Sequence, residues 1–162
     1  MAVISNEMIK LVNFRIEQEE MSSRLYLAMS VWLDVNGYAG AGKLWKKYSN
    51  EELEHAGWSY QYLQDLNILP DVPKLDKPDV NITGLPQVIV DSYKHELKIT
   101  AQCQEFAQKA QEEGDYMTLN LAQKFLKEQV DEIAKTTFWV DRLKAFGNDK
   151  VALRLLDNEM GG

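Results

Sequence analysis

The run Glu51-Glu52-Leu53-Glu54-His55 places a carboxylate and an imidazole, Glu52 and His55, three residues apart in a long amphipathic segment. At that spacing both side chains leave the same face of a helix. That face also carries the segment's apolar residues, so both groups face burial, where an unpaired charge is costly or is neutralised. Three further glutamates share this situation. The stripe Val12, Ile16, Glu19, Ser23, Tyr26, Ser30, Leu33 contains Glu19, and Trp45, Tyr48, Glu52, His55, Ser59, Tyr62, Leu66 contains Glu52. Ile89, Tyr93, Glu96, Thr100, Cys103, Ala107, Ala110 contains Glu96, and Phe125, Gln129, Glu132, Thr136, Trp139, Leu143, Phe146 contains Glu132. Each Glu lies within about four residues of the middle of its segment, or ~6 Å along a helix. Four carboxylates and one imidazole would then meet at one level. Left alone they repel and their pKa values rise; around two divalent cations they become a ligand set. Oxygen donors with an imidazole and no thiolate suit iron or manganese rather than structural zinc. A single Glu on a seam is ordinarily an edge residue reaching solvent, which does not account for four at one height.

The elements that must position these groups follow from the breakers. All four prolines, Pro70, Pro73, Pro78 and Pro86, fall between residues 70 and 86. The rest of the chain predicts helices over residues 5–34, 41–68, 86–113 and 115–146, with a short fifth over 149–158. Ser5 is placed as an N-cap, Pro86 in a first turn, and Gly114 and Gly147 as C-terminal breaks. The short links after the first and third helices make antiparallel pairs. The stretch 69–85 differs. Extended, it reaches about 56 Å, whereas the second helix is roughly 42 Å long. It can therefore cross the whole bundle and make the second and third helices parallel. One long crossover in an all-α four-helix bundle is ferritin-like connectivity.

Composition narrows the classes. A chain of 162 residues with 45% hydrophobic and 27% charged residues predicts one domain spanning 1–162. A net charge of −7 argues against nucleic-acid binding and agrees with cation handling. No apolar run is long enough to cross a membrane, and no signal-like N-terminus precedes the first helix. The single cysteine, Cys103, allows no internal disulfide and makes the cytoplasm the expected compartment.

Near the site, Tyr26 lies seven residues after Glu19 on the same stripe. It reads either as a core tyrosine with a satisfied hydroxyl or as a redox or hydrogen-bonding partner to iron-bound oxygen. His95, one step off its stripe, reads as a surface or interhelical residue rather than a ligand, and Cys103 reads as core. The turn Glu112, Glu113, Asp115 reads as a solvated helix end, with ion entry as the alternative.

The stretches Glu19-x-x-Ser22-Ser23-x-x-Tyr26, Glu51-Glu52-x-x-His55, Tyr93-Lys94-His95-Glu96 and Glu128-Gln129-x-x-Glu132, with the late Leu156-Asp157-Asn158-Glu159, resemble the prokaryotic non-haem ferritins along essentially the whole chain. The resemblance implies a 24-subunit cage with a di-iron ferroxidase centre in each subunit. It implies Glu19, Glu52 and His55 at a first iron, with Glu52 bridging, and Glu96 and Glu132 at a second. Gln129 would be a hydrogen-bonding or weak neighbour of the second iron. Glu51, Glu128 and Asp131 match a third iron site, where Asp131 stands in place of a common, longer Glu. Bacterioferritins are also similar, but the Gln129-x-x-Glu132 slot lacks their second histidine. Leu53 follows the bridging Glu where they carry a haem-binding Met, so no haem is expected. Lys124 stands in the region of the fourth helix where the family often has a Trp, which argues against an electron-donating tryptophan there.

The implied function is iron storage and detoxification: Fe(II) is oxidised by O2 or peroxide and deposited as ferric oxyhydroxide. A di-iron peroxidase or oxidase without storage, and a non-catalytic helical interaction module, are the competing readings.

Overall fold

The computed structural model describes residues 2–162. Five helices follow one another: α1 (Asn6–Val35), α2 (Ala39–Asp65), α3 (Leu85–Glu113), α4 (Tyr116–Phe146) and α5 (Lys150–Met160). Among the described residues there is no strand, and no helix is long and apolar enough to cross a membrane.

The helix ends show why each element starts and stops. The Ser5 hydroxyl accepts a hydrogen bond from the Met8 amide at 3.1 Å and opens α1. Pro86 sits in the first turn of α3. Gly114 closes α3 in the left-handed region (φ 68°), and Asp115 caps α4 by accepting from the Thr118 amide at 3.0 Å. The acidic turn is thus partly a capping device, and Glu113 accepts from the Ser5 hydroxyl at 2.7 Å.

The helix boundaries fall within two residues of expectation except at the end of α2. Helix α2 ends at Asp65 rather than 68 because Asn67 turns left-handed (φ 57°). The Ile68 amide then reaches back to the Leu63 carbonyl (2.9 Å), and the Asn67 amide to that of Gln64 (3.0 Å). This Schellman closure acts before Pro70 can.

Interhelical hydrogen bonds give the directions. Rising positions on α1 meet falling positions on α2, from Glu20–Tyr60 to Ser23–Ser49 and Ser30–Gly42. They meet falling positions on α3 as well, from Arg15–Gln102 to Ser22–His95. Both α2 and α3 are therefore antiparallel to α1 and parallel to each other. Residues 68–84, without regular secondary structure, form the crossover between them.

The interior consists of two apolar regions. One gathers Met8, Val12, Ile16, Leu63, Ile99, Phe106 and Phe125. The other gathers Met29, Leu33, Trp45, Leu85, Ile89 and Trp139, and α5 closes it with Leu153, Leu156 and Met160. Between them lies a buried polar layer of Glu19, Ser23, Ser49, Glu52, His55, Ser59, Glu96, Gln129 and Glu132. Phe146, placed on the fourth seam by its spacing, is instead 67% exposed. It ends its helix, beyond the reach of the neighbouring packing.

Candidate metal centre

The polar layer draws one side-chain set from each long helix. Glu19 comes from α1, Glu52 and His55 from one face of α2, Glu96 from α3, and Glu132 from α4. Each of these five is at most 5% exposed. Their donor atoms fall into overlapping triads. Glu19, Glu52 and His55 form one, and Glu52, Glu96 and Glu132 form another, with donor atoms within 4.8 Å of one another in each. Glu52 belongs to both. A third triad joins His55 to Glu128 and Glu132.

His55 stands at the junction. Its Nδ1 lies 3.2 Å from Glu52 Oε2 and 3.8 Å from Glu19 Oε2, and its Nε2 lies 3.4 Å from Glu128 Oε1. Glu19 Oε2 is fully buried and has no hydrogen-bond partner among the described residues. An orphaned carboxylate oxygen aimed into a carboxylate–imidazole cluster fits a cation between them, because leaving it unpaired is costly.

The electrostatics are those of acidic groups held apart from water. Burial pushes Glu52 well above the usual carboxylate range; the His55 hydrogen bond opposes this, and the charges of Glu19 and Glu96 add to it. Burial, then the Glu132 charge, pushes Glu96 up to about 7 against hydrogen bonds from Tyr26 and Gln129. Burial also raises Glu132, with Lys135 opposing. Burial would raise Glu19 too, but His55, Glu52 and Arg15 outweigh it and hold it below the usual value. For His55, burial favours the neutral ring, yet Glu19 and Glu52 lift it to about 11.

The residues around the five candidate ligands sort clearly. The Tyr26 hydroxyl donates to Glu96 Oε1, and burial followed by the Glu96 charge raises its pKa well above the ordinary value. Tyr26 therefore has a satisfied hydroxyl and touches a candidate ligand at once. The Gln129 amide nitrogen donates to Glu96 Oε2 (3.1 Å) and Thr100 Oγ1 (3.0 Å), so this side chain orients Glu96. His95 is interhelical: its Nε2 lies 2.7 Å from Ser22 Oγ, and its ring meets Tyr26 edge-on at 5.7 Å. Burial, with Lys98, lowers its pKa to about 4. Cys103 is buried in the first core region.

The three residues matched to a third iron site are not brought together. Glu51 is bonded to Lys135 (3.1 Å), Glu128 faces His55, and Asp131 is exposed and makes no ion pair among the described residues. An exposed Asp131 and a Glu51 already neutralised leave that expectation without a cluster.

Three neighbours were not singled out by the sequence reading. Arg15, fully buried, lies 3.2 Å from Glu19 Oε1 and bonds Gln102 Oε1 at 3.1 Å. Lys135 reaches both oxygens of Glu132, at 2.9 and 2.8 Å. Trp58 of α2 sits 4.8 Å from the His55 ring, with the Lys124 ammonium 4.3 Å over its indole. The indole beside the site thus comes from α2, while α4 supplies the cation. Spacing held a signal for the first two: Arg15 precedes Glu19 by four residues, and Lys135 follows Glu132 by three.

A buried carboxylate–imidazole layer inside a four-helix bundle with one long crossover defines the class, and the family match agrees. The Ferritin-like domain model matches residues 9–146, and the chain belongs to that family. Among curated proteins, it is 32% identical to the "Probable bacterial non-heme ferritin-like protein" of Haemophilus influenzae, covering 98% of this chain and 96% of that one. It is 30% identical to the "Bacterial non-heme ferritin" of Escherichia coli O6:H1, again over 98% and 96%. Among solved structures, the open pore ferritin of the archaeon Archaeoglobus fulgidus superposes with a TM-score of 0.94 at 30% identity, covering 99% of this chain and 98% of that one.

Proposed function

We propose that this chain oxidises Fe(II) at the buried centre and stores the ferric product inside a cage built from copies of itself. The observation that carries this reading is the sharing of Glu52 by two triads. A carboxylate with an oxygen for each of two cations can hold them a few ångströms apart, as a two-electron step requires. Glu19, Glu52 and His55 would hold one Fe(II), and Glu52, Glu96 and Glu132 the other. Each Fe(II) gives up one electron, and the pair reduces O2 to hydrogen peroxide, or peroxide to water. The imidazole favours tighter Fe(II) binding at the first position than at the second, carboxylate-only position.

The protein's own part is positioning and charge. Gln129 and Tyr26 orient Glu96, His55 and Glu52 with Arg15 hold Glu19 ionised, and the two apolar regions keep bulk water from the layer. Membership of the family and the likeness to ferritins support storage in a homo-oligomeric cage, for which we take 24 subunits. Apolar residues exposed on the crossover, Leu69 (90%) and Val72 (82%), support burial against further copies.

Stopped-flow absorbance of Fe(II) mixed with oxygenated buffer tests the reading. Glu52→Ala removes a ligand from both positions and is expected to slow the fast phase at least ~100-fold. A rate equal to the parent's would refute the assignment.

A further inference from the structure

Lys135 extends from α4 at the rim of the centre, with its side chain 25% exposed. Its ammonium lies 2.9 and 2.8 Å from the two oxygens of Glu132 and 3.1 Å from Glu51 Oε2. The same nitrogen sits 4.2 Å over the Tyr48 ring, whose hydroxyl accepts from the Trp139 indole at 3.0 Å. The ammonium is therefore held by two carboxylates from different helices and by an aromatic face. Glu132 belongs to the inner cluster, and Glu51 lies outside it, half-buried, one residue before Glu52.

A divalent cation bridging an inner and an outer carboxylate would have to stand where this ammonium stands. We propose that Lys135 is a built-in counter-cation that takes the place of a third metal ion, so that the chain binds two divalent cations and excludes a third. The neighbouring residues agree. Glu128 meets His55 and Glu132 on the inner side, both already among the candidate ligands of the two cations, and Asp131 is exposed, so neither joins Glu51 round Lys135. A tethered cation differs from a bound one in two ways. It holds Glu132 in place before metal arrives, and it cannot leave for the mineral. The proposal rests on the two-cation reading of the inner cluster.

Anaerobic equilibrium dialysis of the assembled protein against Co(II), with bound metal counted per chain and the d–d absorbance recorded, separates the outcomes. The parent is expected to saturate at two Co(II) per chain. Lys135→Leu, which keeps the apolar stem and removes the charge, is expected to take three, with new absorbance intensity. Lys135→Arg should stay at two, and Lys135→Leu combined with Glu51→Gln should return to two. Three Co(II) per parent chain would overturn this proposal alone. So would two per chain in a Lys135→Leu protein of parental particle size and helical content. A parent that binds none would remove the inner-cluster reading and this proposal with it.

Discussion

At the scale of single residues, the centre is a set of acids kept from water. Arg15 and Glu19 show how the chain tolerates it. A guanidinium with no exposed surface is tolerated because Glu19 and Gln102 accept from its two terminal nitrogens, while its Nε has no partner among the described residues. Removing one partner of a buried ion pair leaves the other uncompensated. Arg15→Leu is therefore expected to destabilise the metal-free protein by about 3–5 kcal/mol, read from urea unfolding; a loss under ~1 kcal/mol would show that Glu19 finds another partner. The raised carboxylates predict a pH effect whose sign can be worked out. Glu96 rises from 4.5 to about 7, so the folded, metal-free protein keeps a proton that the unfolded chain has released. Its contribution is full below 4.5 and is lost as pH climbs through about 7. Glu52 and Glu132 shift the same way. The His55 contribution is full below 6.5 and declines toward about 11. A divalent cation replaces those protons. The Tm gain on saturating with Zn(II) is thus expected to be larger at about pH 8 than at about pH 5.5. Equal gains in differential scanning calorimetry would mean that these groups do not exchange protons for metal.

Among the helices, the placement of α5 depends on the close approach of two glycines, Gly40 and Gly161. A Cβ on Gly40 would lie 2.0 Å from the Asp157 carbonyl oxygen and 3.0 Å from the Gly161 amide nitrogen. That close approach lets Asp157 Oδ1 accept from the Ala41 amide at 2.7 Å, so a residue of α5 caps the start of α2. Capping and apolar burial of Leu153, Leu156 and Met160 then hold α5 on the bundle end. Gly40→Ala has backbone, not a flexible side chain, in its way. It is expected to undock α5 while leaving the centre assembled, at a cost of about 1–3 kcal/mol. Hydrogen exchange should then be faster across residues 150–160 and unchanged at His55 and Glu96. Parental protection of α5 would contradict the packing argument.

For the whole molecule, the reading is one of assembly and capacity. After aerobic Fe(II) loading, size-exclusion mass with iron counted per particle is expected to show a cage-sized particle holding far more iron than its centres can bind. A particle of a few subunits with about two irons per chain would leave the two-cation chemistry and remove storage. That outcome favours the di-iron oxidase reading over the ferritin one.

Much of this was legible in the chain. Proline confinement to residues 70–86 set the crossover, because proline excludes helix interiors. The 3–4 spacing placed Glu19, Glu52, His55, Glu96 and Glu132 on inward faces, since a helix repeats every 3.6 residues. Periodicity of that kind is local, so one sequence suffices to read it. It cannot say which long side chains reach across between helices. Arg15 reaching Gln102, Lys135 linking Glu51 to Glu132, and Trp58 beside His55 depend on rotamers and on the rotation of one helix against the next. The third-site residues show the difference most plainly. Glu51, Glu128 and Asp131 match a motif along the chain, yet an ammonium from the next turn of α4 holds the first, His55 draws the second, and solvent takes the third. The sequence by itself determined the helices, their connectivity and the five inward-facing candidate ligands. Only the tertiary structure decided which charges neutralise which, because ion pairing depends on distances of a few ångströms between helices that are far apart in sequence.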